Sequence, residues 1–191
     1  MATPIDVVIM AAGKGTRMKS ARPKVLHRLG GRALLAHVIT CAARLSARQA
    51  VVITGHGAIE VEAACGGFTP AEGSFGLKFA RQEPQLGTGH AVQQALPLLA
   101  DDGVTLVLSG DVPLTQPDTL AALLAACGGE RLALLTLELP DPTGYGRIER
   151  AADGNVRAIV EHKDATDAQR AIREIYSGIM AVPTRLLRGW L

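Results

Sequence analysis

Three apolar runs constrain this chain more than any other feature: IDVVIMAA at residues 5–12, AVVIT at 50–54 and VTLVLSG at 104–110. Each stays apolar at almost every position instead of alternating with polar residues. A strand with one wet face alternates with period two, so a strand apolar throughout must be covered on both faces. The intervening segments supply the covers. RALLAHVITCAARL places Leu34, Leu35, Val38, Ile39, Ala42 and Leu45 at helical spacing. GHAVQQALPLL (89–99) and PDTLAALLAAC (117–127) also read as helices, the second with Pro117 and Asp118 in its first turn. GLKFAR (76–81) and RLALLTLEL (131–139) bring the predicted strands to five. This pattern predicts an α/β domain, Rossmann-like and doubly wound around a mostly parallel sheet.

The last third changes character. GRIERAADGNVRAIVEH (146–162) is two strand-like stretches around Asp153-Gly154, a hairpin signal. DATDAQRAIRE (164–174) predicts a short helix and IYSGIMAV (175–182) another strand, so an antiparallel flap is expected here. No repeat, low-complexity tract or linker divides the chain, and residues 1–191 are expected to form one domain. PTRLLRGWL (183–191) stops inside a helix just begun, with no capping Gly or Asn, so a domain truncated at its C-terminal end is expected.

Hydrophobic residues make up 48% of the chain but aromatics only 3%, which leaves the core to Leu, Val, Ile and Ala. Cys41, Cys65 and Cys127 form neither a CxxC pair nor a disulfide framework, and a reducing cytosol suits them. No basic leader precedes a long apolar stretch, and no run approaches membrane-spanning length. The expectation is a soluble, cytoplasmic protein without a membrane partner.

A net charge of +2 argues against a general nucleic-acid binder. Its distribution is uneven. Between Asp6 and Glu60 there is no acidic residue, while Lys14, Arg17, Lys19, Arg22, Lys24, Arg28, Arg32, Arg44 and Arg48 contribute +9, leaving −7 for the rest. Some of these are solvated helix charges. The remainder predict a compact polyanionic ligand near the N-terminus.

The turn behind the first strand, MAAGKGTRMKSARPK (10–24), is where such a ligand would sit. It is not a Walker loop, because Val8 stands where the first Gly belongs and Gly15 follows Lys14. It is not a dinucleotide fingerprint, because Met18 replaces the third Gly. What remains is Ala11-Ala12-Gly13-x-Gly15-Thr16-Arg17, whose small residues let backbone N–H groups approach phosphate while Arg17 and Lys24 supply charge. An ordinary turn between strand and helix stays open on these residues alone.

AAGKGTRMKSARPKVLH, QEPQLGTGHAVQQA, SGDVPL, DPTGYGRIER and IVEHKDATDAQRAIREIYSGIMAV occur in this order. Together they resemble the signature of the sugar-nucleotide pyrophosphorylases, and within them the bacterial N-acetylglucosamine-1-phosphate uridyltransferases. The likeness runs from residue 5 to the end. It implies the nucleotide-diphospho-sugar transferase type of fold, and formation of UDP-N-acetylglucosamine and pyrophosphate from UTP and N-acetylglucosamine 1-phosphate. Two polyanions then meet, so catalysis is alignment and charge neutralisation, without a side-chain nucleophile. None of the five histidines is required as a base, because a sugar phosphate is already ionised.

The resemblance implies roles residue by residue. Arg17 and Lys24 act on phosphates, and Ala11, Ala12, Gly13, Gly15 and Thr16 hold the nucleotide. Asp111, behind TLVLSG, holds Mg²⁺; a turn or capping role is the alternative on position alone. A second metal ligand in that family is an Asn beyond Leu191. Gln82, Gly87 and Thr88 read the base, a uracil edge offering acceptor–donor–acceptor; a polar loop with Thr88 as helix cap is the alternative. His90 is assigned a packing role. Gly146, Glu161, Tyr176 and Ser177 hold the sugar, although Tyr176-Ser177 stands where the family has Asn-Thr. For Glu161 and Lys163 the alternative is a solvated hairpin face.

In that family a left-handed β-helix bearing an acetyltransferase follows this domain, and these 191 residues contain no hexapeptide repeat. The resemblance implies a homotrimeric parent joined through that absent part, and a product feeding peptidoglycan and lipopolysaccharide synthesis. A sister pyrophosphorylase with another sugar or base, and a non-catalytic nucleotide-binding fragment, are the competing readings.

Overall fold

The computed structural model describes residues 3–15, 18–66 and 75–191. Thr16 and Arg17, assigned to the phosphate turn, lie outside the described residues. The chain divides into two compact units, Met1–Ala133 with Met180–Leu191, and Leu134–Ile179.

The first unit is arranged around β1 (Ile5–Met10), whose Val7, Val8 and Ile9 are each 0% exposed. It pairs in parallel with β4 (Gln49–Thr54) on one side and β6 (Val104–Ser109) on the other. Beyond β4 lies β5 (Gly76–Arg81), also parallel. Met180–Pro183, the end of β10 (Glu174–Pro183), closes the other side antiparallel to β6. Successive side chains of a strand face opposite sides, so burial of consecutive residues requires two covers. On one side Val8, Ile53, Val107 and Val182 form a cluster with Ala91 and Val92 of α3 (Thr88–Ala95) and Leu187 of α6 (Thr184–Trp190). Elsewhere α1 (Leu34–Ala43) packs on β1 through an apolar stripe that buries Leu35, Val38 and Ile39. The doubly wound α/β fold is therefore as the apolar runs require.

Two elements of this unit left no mark in the apolar pattern. α2 (Ala58–Cys65) buries only Val61 and Cys65, one turn apart, with Glu60 and Glu62 on either side of Val61, so its apolar face is too short to stand out as a helical stripe. The ribbon of β2 (Arg28–Leu29) and β3 (Arg32–Ala33) is too short to show alternation. α4 (Pro117–Cys127) has the span the sequence predicts.

RLALLTLEL departs from expectation. β7 (Ala133–Glu138) is only partly buried, pairs with β10, and belongs almost entirely to the second unit instead of forming a fifth strand of the parallel sheet. Apolar length alone does not distinguish a strand covered on both faces from a partly open one. In that unit β8 (Arg147–Arg150) and β9 (Val156–Val160) form the predicted antiparallel hairpin, and β10 pairs with β8 at Ile175↔Arg147. The predicted helix over 164–174 shrinks to one turn, α5 (Asp167–Arg170), started by a capping box of Thr166 and Gln169. Its remaining residues run into β10.

One buried charge holds the first unit at its amino edge. Asp6 is 0% exposed, and its carboxylate accepts from Arg48 Nε and Nη2, each at 2.7 Å. Arg48 also donates to Asp102 at 2.9 Å, which raises its guanidinium pKa further. Removing one partner of a buried pair strands the other charge. Asp6→Ala is expected to lower the unfolding free energy by about 2–3 kcal/mol, below the fully enclosed case because Arg48 is a third exposed. Urea denaturation measures this, and a loss under about 0.5 kcal/mol would contradict it.

Candidate active site

Because β1, β4, β5 and β6 run parallel, their carboxyl ends share one edge of the sheet, where α/β folds collect ligands. Backbone bonds stitch the loops there together. Ala11 N donates to Ile53 O at 2.9 Å, Gln82 N to Thr54 O at 2.8 Å and Gly110 N to Met10 O at 3.0 Å. The cleft they enclose has a volume of about 660 Å³. Its lining includes Ala11, Ala12, Gly13, Gly15, Lys24, Gln82, Gly87, Thr88 and Asp111, so nine residues assigned to nucleotide, phosphate or metal come together.

Gly15 has φ +60°, and a Cβ built there would lie 2.8 Å from Lys24 Cβ. Only glycine suits both the backbone and the space. Lys24 opens a 3₁₀ turn, Lys24–Leu26, with buried Pro23 and Val25 on either side, so its own side chain is left to the cleft. Its ammonium forms an ion pair with Asp111, the two side chains being 40% and 24% exposed.

Gln82 is 5% exposed, and its amide nitrogen donates to Gly87 O at 2.8 Å and lies 3.2 Å from His90 Nδ1. Both donors of the amide are thus engaged, by Gly87 in the loop and His90 on α3, and among the described residues its oxygen is left free to accept. His90 is a packing and hydrogen-bonding partner here. Gly87, not Thr88, occupies the helix N-cap, and no side chain caps α3. Gln85, unmarked in the sequence, lines the cleft and donates to Ala12 O at 2.9 Å, tying the 82–88 loop to the glycine turn. A glutamine in a loop carries no signal of its partner until the turn is beside it.

As a cation site, Asp111 offers one hard carboxylate. Among the described residues no three His, Cys, Asp or Glu side chains group to hold a metal. That donor set fits a cation such as Mg²⁺ that takes most of its ligands from water and phosphate.

The residues assigned to the sugar lie in the second unit. A Cβ on Gly146 would stand 3.0 Å from Ile159 Cγ2, a tight contact, and 3.6 Å from Glu161 Oε1, so the backbone passes close beside that carboxylate. Tyr176 N donates to Gly146 O at 3.0 Å, which brings Gly146, Glu161 and Tyr176 together. Tyr176 is partly buried, and desolvation pushes its phenol up to about 12. Ser177 is already committed: its hydroxyl donates to Leu135 O at 2.6 Å and accepts from Ile179 N at 3.3 Å.

The model of the MobA-like NTP transferase domain family matches residues 7–174. A protein of Polaromonas sp. strain JS666 named Bifunctional protein GlmU is 79% identical over all of this chain and 42% of its own length. One of the same name from Polaromonas naphthalenivorans is 78% identical over 98% of this chain and 40% of its own. The chain thus spans about two fifths of these curated relatives. A solved structure, a putative glucose-1-phosphate thymidylyltransferase from Bacillus anthracis in complex with a sucrose, superposes with TM-score 0.80 at 16% identity, covering 96% of this chain and 73% of that one. At that identity the likeness speaks for the fold.

Replacing Gly15 tests the turn. A residue with a Cβ at positive φ costs about 1–2 kcal/mol, and relief requires the turn or Lys24 to shift. Gly15→Ala is expected to weaken binding of inorganic pyrophosphate roughly 5- to 30-fold by calorimetry, with thermal unfolding little changed. Unaltered affinity would remove the turn from the anion site.

Proposed function

Since the chain belongs to the family of MobA-like NTP transferase domains, we propose that it joins UTP to N-acetylglucosamine 1-phosphate, releasing pyrophosphate and forming UDP-N-acetylglucosamine. The observation that carries the reading is the cleft of the first unit, where Lys24 and Asp111 stand beside the glycine turn and the 82–88 loop. Its size suits one nucleotide.

A phosphate oxygen of the sugar phosphate attacks the α-phosphorus of UTP, and the bond from that phosphorus to the oxygen it shares with the β-phosphorus breaks, so that oxygen leaves with pyrophosphate. No proton has to move. The protein aligns the two anions and offsets their charge. Lys24 forms an ion pair with Asp111. A triphosphate concentrates more negative charge than one carboxylate, so it draws the ammonium across and releases Asp111. Membership of an NTP transferase family implies a divalent cation, for which we take Mg²⁺, with Asp111 as its protein ligand. Bound there, the cation would neutralise phosphate charge. Arg17 adds a second phosphate donor, and Ala11, Ala12, Gly13, Gly15 and Thr16 offer backbone. Gln82, through its oxygen, and the backbone at Gly87 and Thr88 read uracil. In the second unit Gly146 offers backbone and Glu161 accepts from sugar hydroxyls, with the neutral Tyr176 phenol able to donate or accept.

No helix among the described residues is long and apolar enough to cross a membrane. We place the protein in the cytoplasm, as part of a longer homotrimeric parent whose product enters peptidoglycan and lipopolysaccharide synthesis. A sister activity on a different sugar phosphate is favoured by one feature only, the Tyr176-Ser177 pair with its serine hydroxyl engaged. A panel of sugar 1-phosphates separates the two.

Lys24→Ala and Arg17→Ala, each removing a charged donor aimed at phosphate, are expected to lower kcat about 100- to 1,000-fold with little loss of stability. Changes under threefold in both would remove them from the phosphate site. Gln82→Ala is expected to erode the preference for UTP over CTP, since it removes the acceptor facing the base and leaves Gly87 O and His90 without their donor, at about 1–3 kcal/mol per stranded group. Competition of CTP against labelled UTP reads the effect. An unchanged preference would assign base reading to the backbone at Gly87 and Thr88.

A further inference from the structure

Arg147, the first residue of β8, is 1% exposed and is the largest fully buried side chain among the described residues. A guanidinium does not give up its proton, so a full positive charge sits in the interior of the second unit. Such charges are normally paired with a carboxylate. Among the described residues no carboxylate forms an ion pair with this one, although Asp141 lies near enough for its carboxyl to feel the charge: Nη1 donates to Tyr145 O, and Nη2 donates to His162 Nδ1 at 3.2 Å and to Arg170 O at 3.4 Å. Its Nε has no partner among the described residues. A large cation held this way contributes poorly to stability compared with an apolar side chain of its volume. Its position relative to the sugar residues gives it another use.

Arg147 gathers three segments: the turn before β8, the residues after β9 and the end of α5. The first two carry Gly146 and Glu161. Tyr145 O and Gly146 N–H belong to one peptide plane, and in a trans peptide they point in opposite directions. By holding Tyr145 O, the guanidinium aims the Gly146 N–H away from the interior, and a charged donor on the carbonyl also polarises that N–H. Its hold on the His162 ring fixes the residue next to Glu161, whose carboxylate oxygen would stand 3.6 Å from a Cβ on Gly146. One buried side chain therefore holds both of the segments that carry the backbone donor and the carboxylate acceptor.

We propose that Arg147 is the positioning residue of the sugar-phosphate site, orienting Gly146 N–H through Tyr145 O and Glu161 through His162. This rests on the sugar reading of the second unit given above. The test compares Arg147→Lys, His162→Leu and His162→Gln with the wild type, following pyrophosphate release at varied N-acetylglucosamine 1-phosphate and varied UTP. Lysine keeps the charge but lacks the fork that reaches Tyr145 and His162 together. Arg147→Lys is expected to raise KM for the sugar phosphate at least about tenfold while KM for UTP stays within about twofold. His162→Leu should move the same constant in the same direction, and His162→Gln, whose carbonyl can accept the same N–H, should restore it. A sugar-phosphate KM that stays near wild type in both Arg147→Lys and His162→Leu overturns the proposal, as does an equal rise for both substrates, the mark of a general structural role. Should Arg147→Lys not fold, the His162 pair decides, because that ring is only partly buried. A wild type that prefers another sugar phosphate shows the sugar assignment to be wrong, and the same comparison run with that sugar phosphate still tests Arg147.

Discussion

The first unit depends on β1 having parallel partners on both edges and covers on both faces. A strand in that position has no freedom to end elsewhere than between the ends of its neighbours. The chain leaving β1 at Met10 therefore emerges beside the loops that follow β4, β5 and β6. Hydrogen bonds from Ala11, Gln82 and Gly110 to the strand ends show how little slack remains. Burial of Val7, Val8 and Ile9 thus helps to position the glycine turn, the 82–88 loop and Asp111.

Charge at this edge is arranged for exchange. Lys24 and Asp111 satisfy one another where neither is fully buried, so the pair contributes little to folding and separates readily. Asp6 and Arg48 at the opposite edge behave differently. There the carboxylate is enclosed and bound through both oxygens, and the pair serves the fold. Both are ion pairs on a carboxylate, but one is a single ammonium on a half-open carboxylate and the other a guanidinium fork on an enclosed one, and those two differences separate them.

The second unit uses polar groups another way. Ser177 turns its hydroxyl onto the backbone of β7, Tyr176 holds a neutral phenol, and Arg147 spends its donors on carbonyls and an imidazole. Because a small antiparallel unit has few buried apolar residues, its shape rests more on such bonds than the first unit's does.

Apolar runs and helical spacing carried the parallel core and the helices α1, α3 and α4, since burial on one or both faces marks the residues, and the turn at Asp153-Gly154 carried the β8–β9 hairpin. They did not carry α2, whose buried face is only Val61 and Cys65, or the destination of RLALLTLEL, since being partly or wholly covered depends on which strand arrives alongside. The glycine turn, Lys24 and Asp111 stood out by residue type and by position after a strand. Gln85 and Arg147 did not, because an amide or a guanidinium acquires its meaning from groups brought near it by folding: Ala12 across 73 residues for the one, Tyr145, His162 and Arg170 for the other. The sequence by itself determined which segments must be buried, and therefore where the loops emerge. Which polar groups meet there was decided only by the tertiary structure, because a hydrogen bond depends on distances that pass through the whole fold.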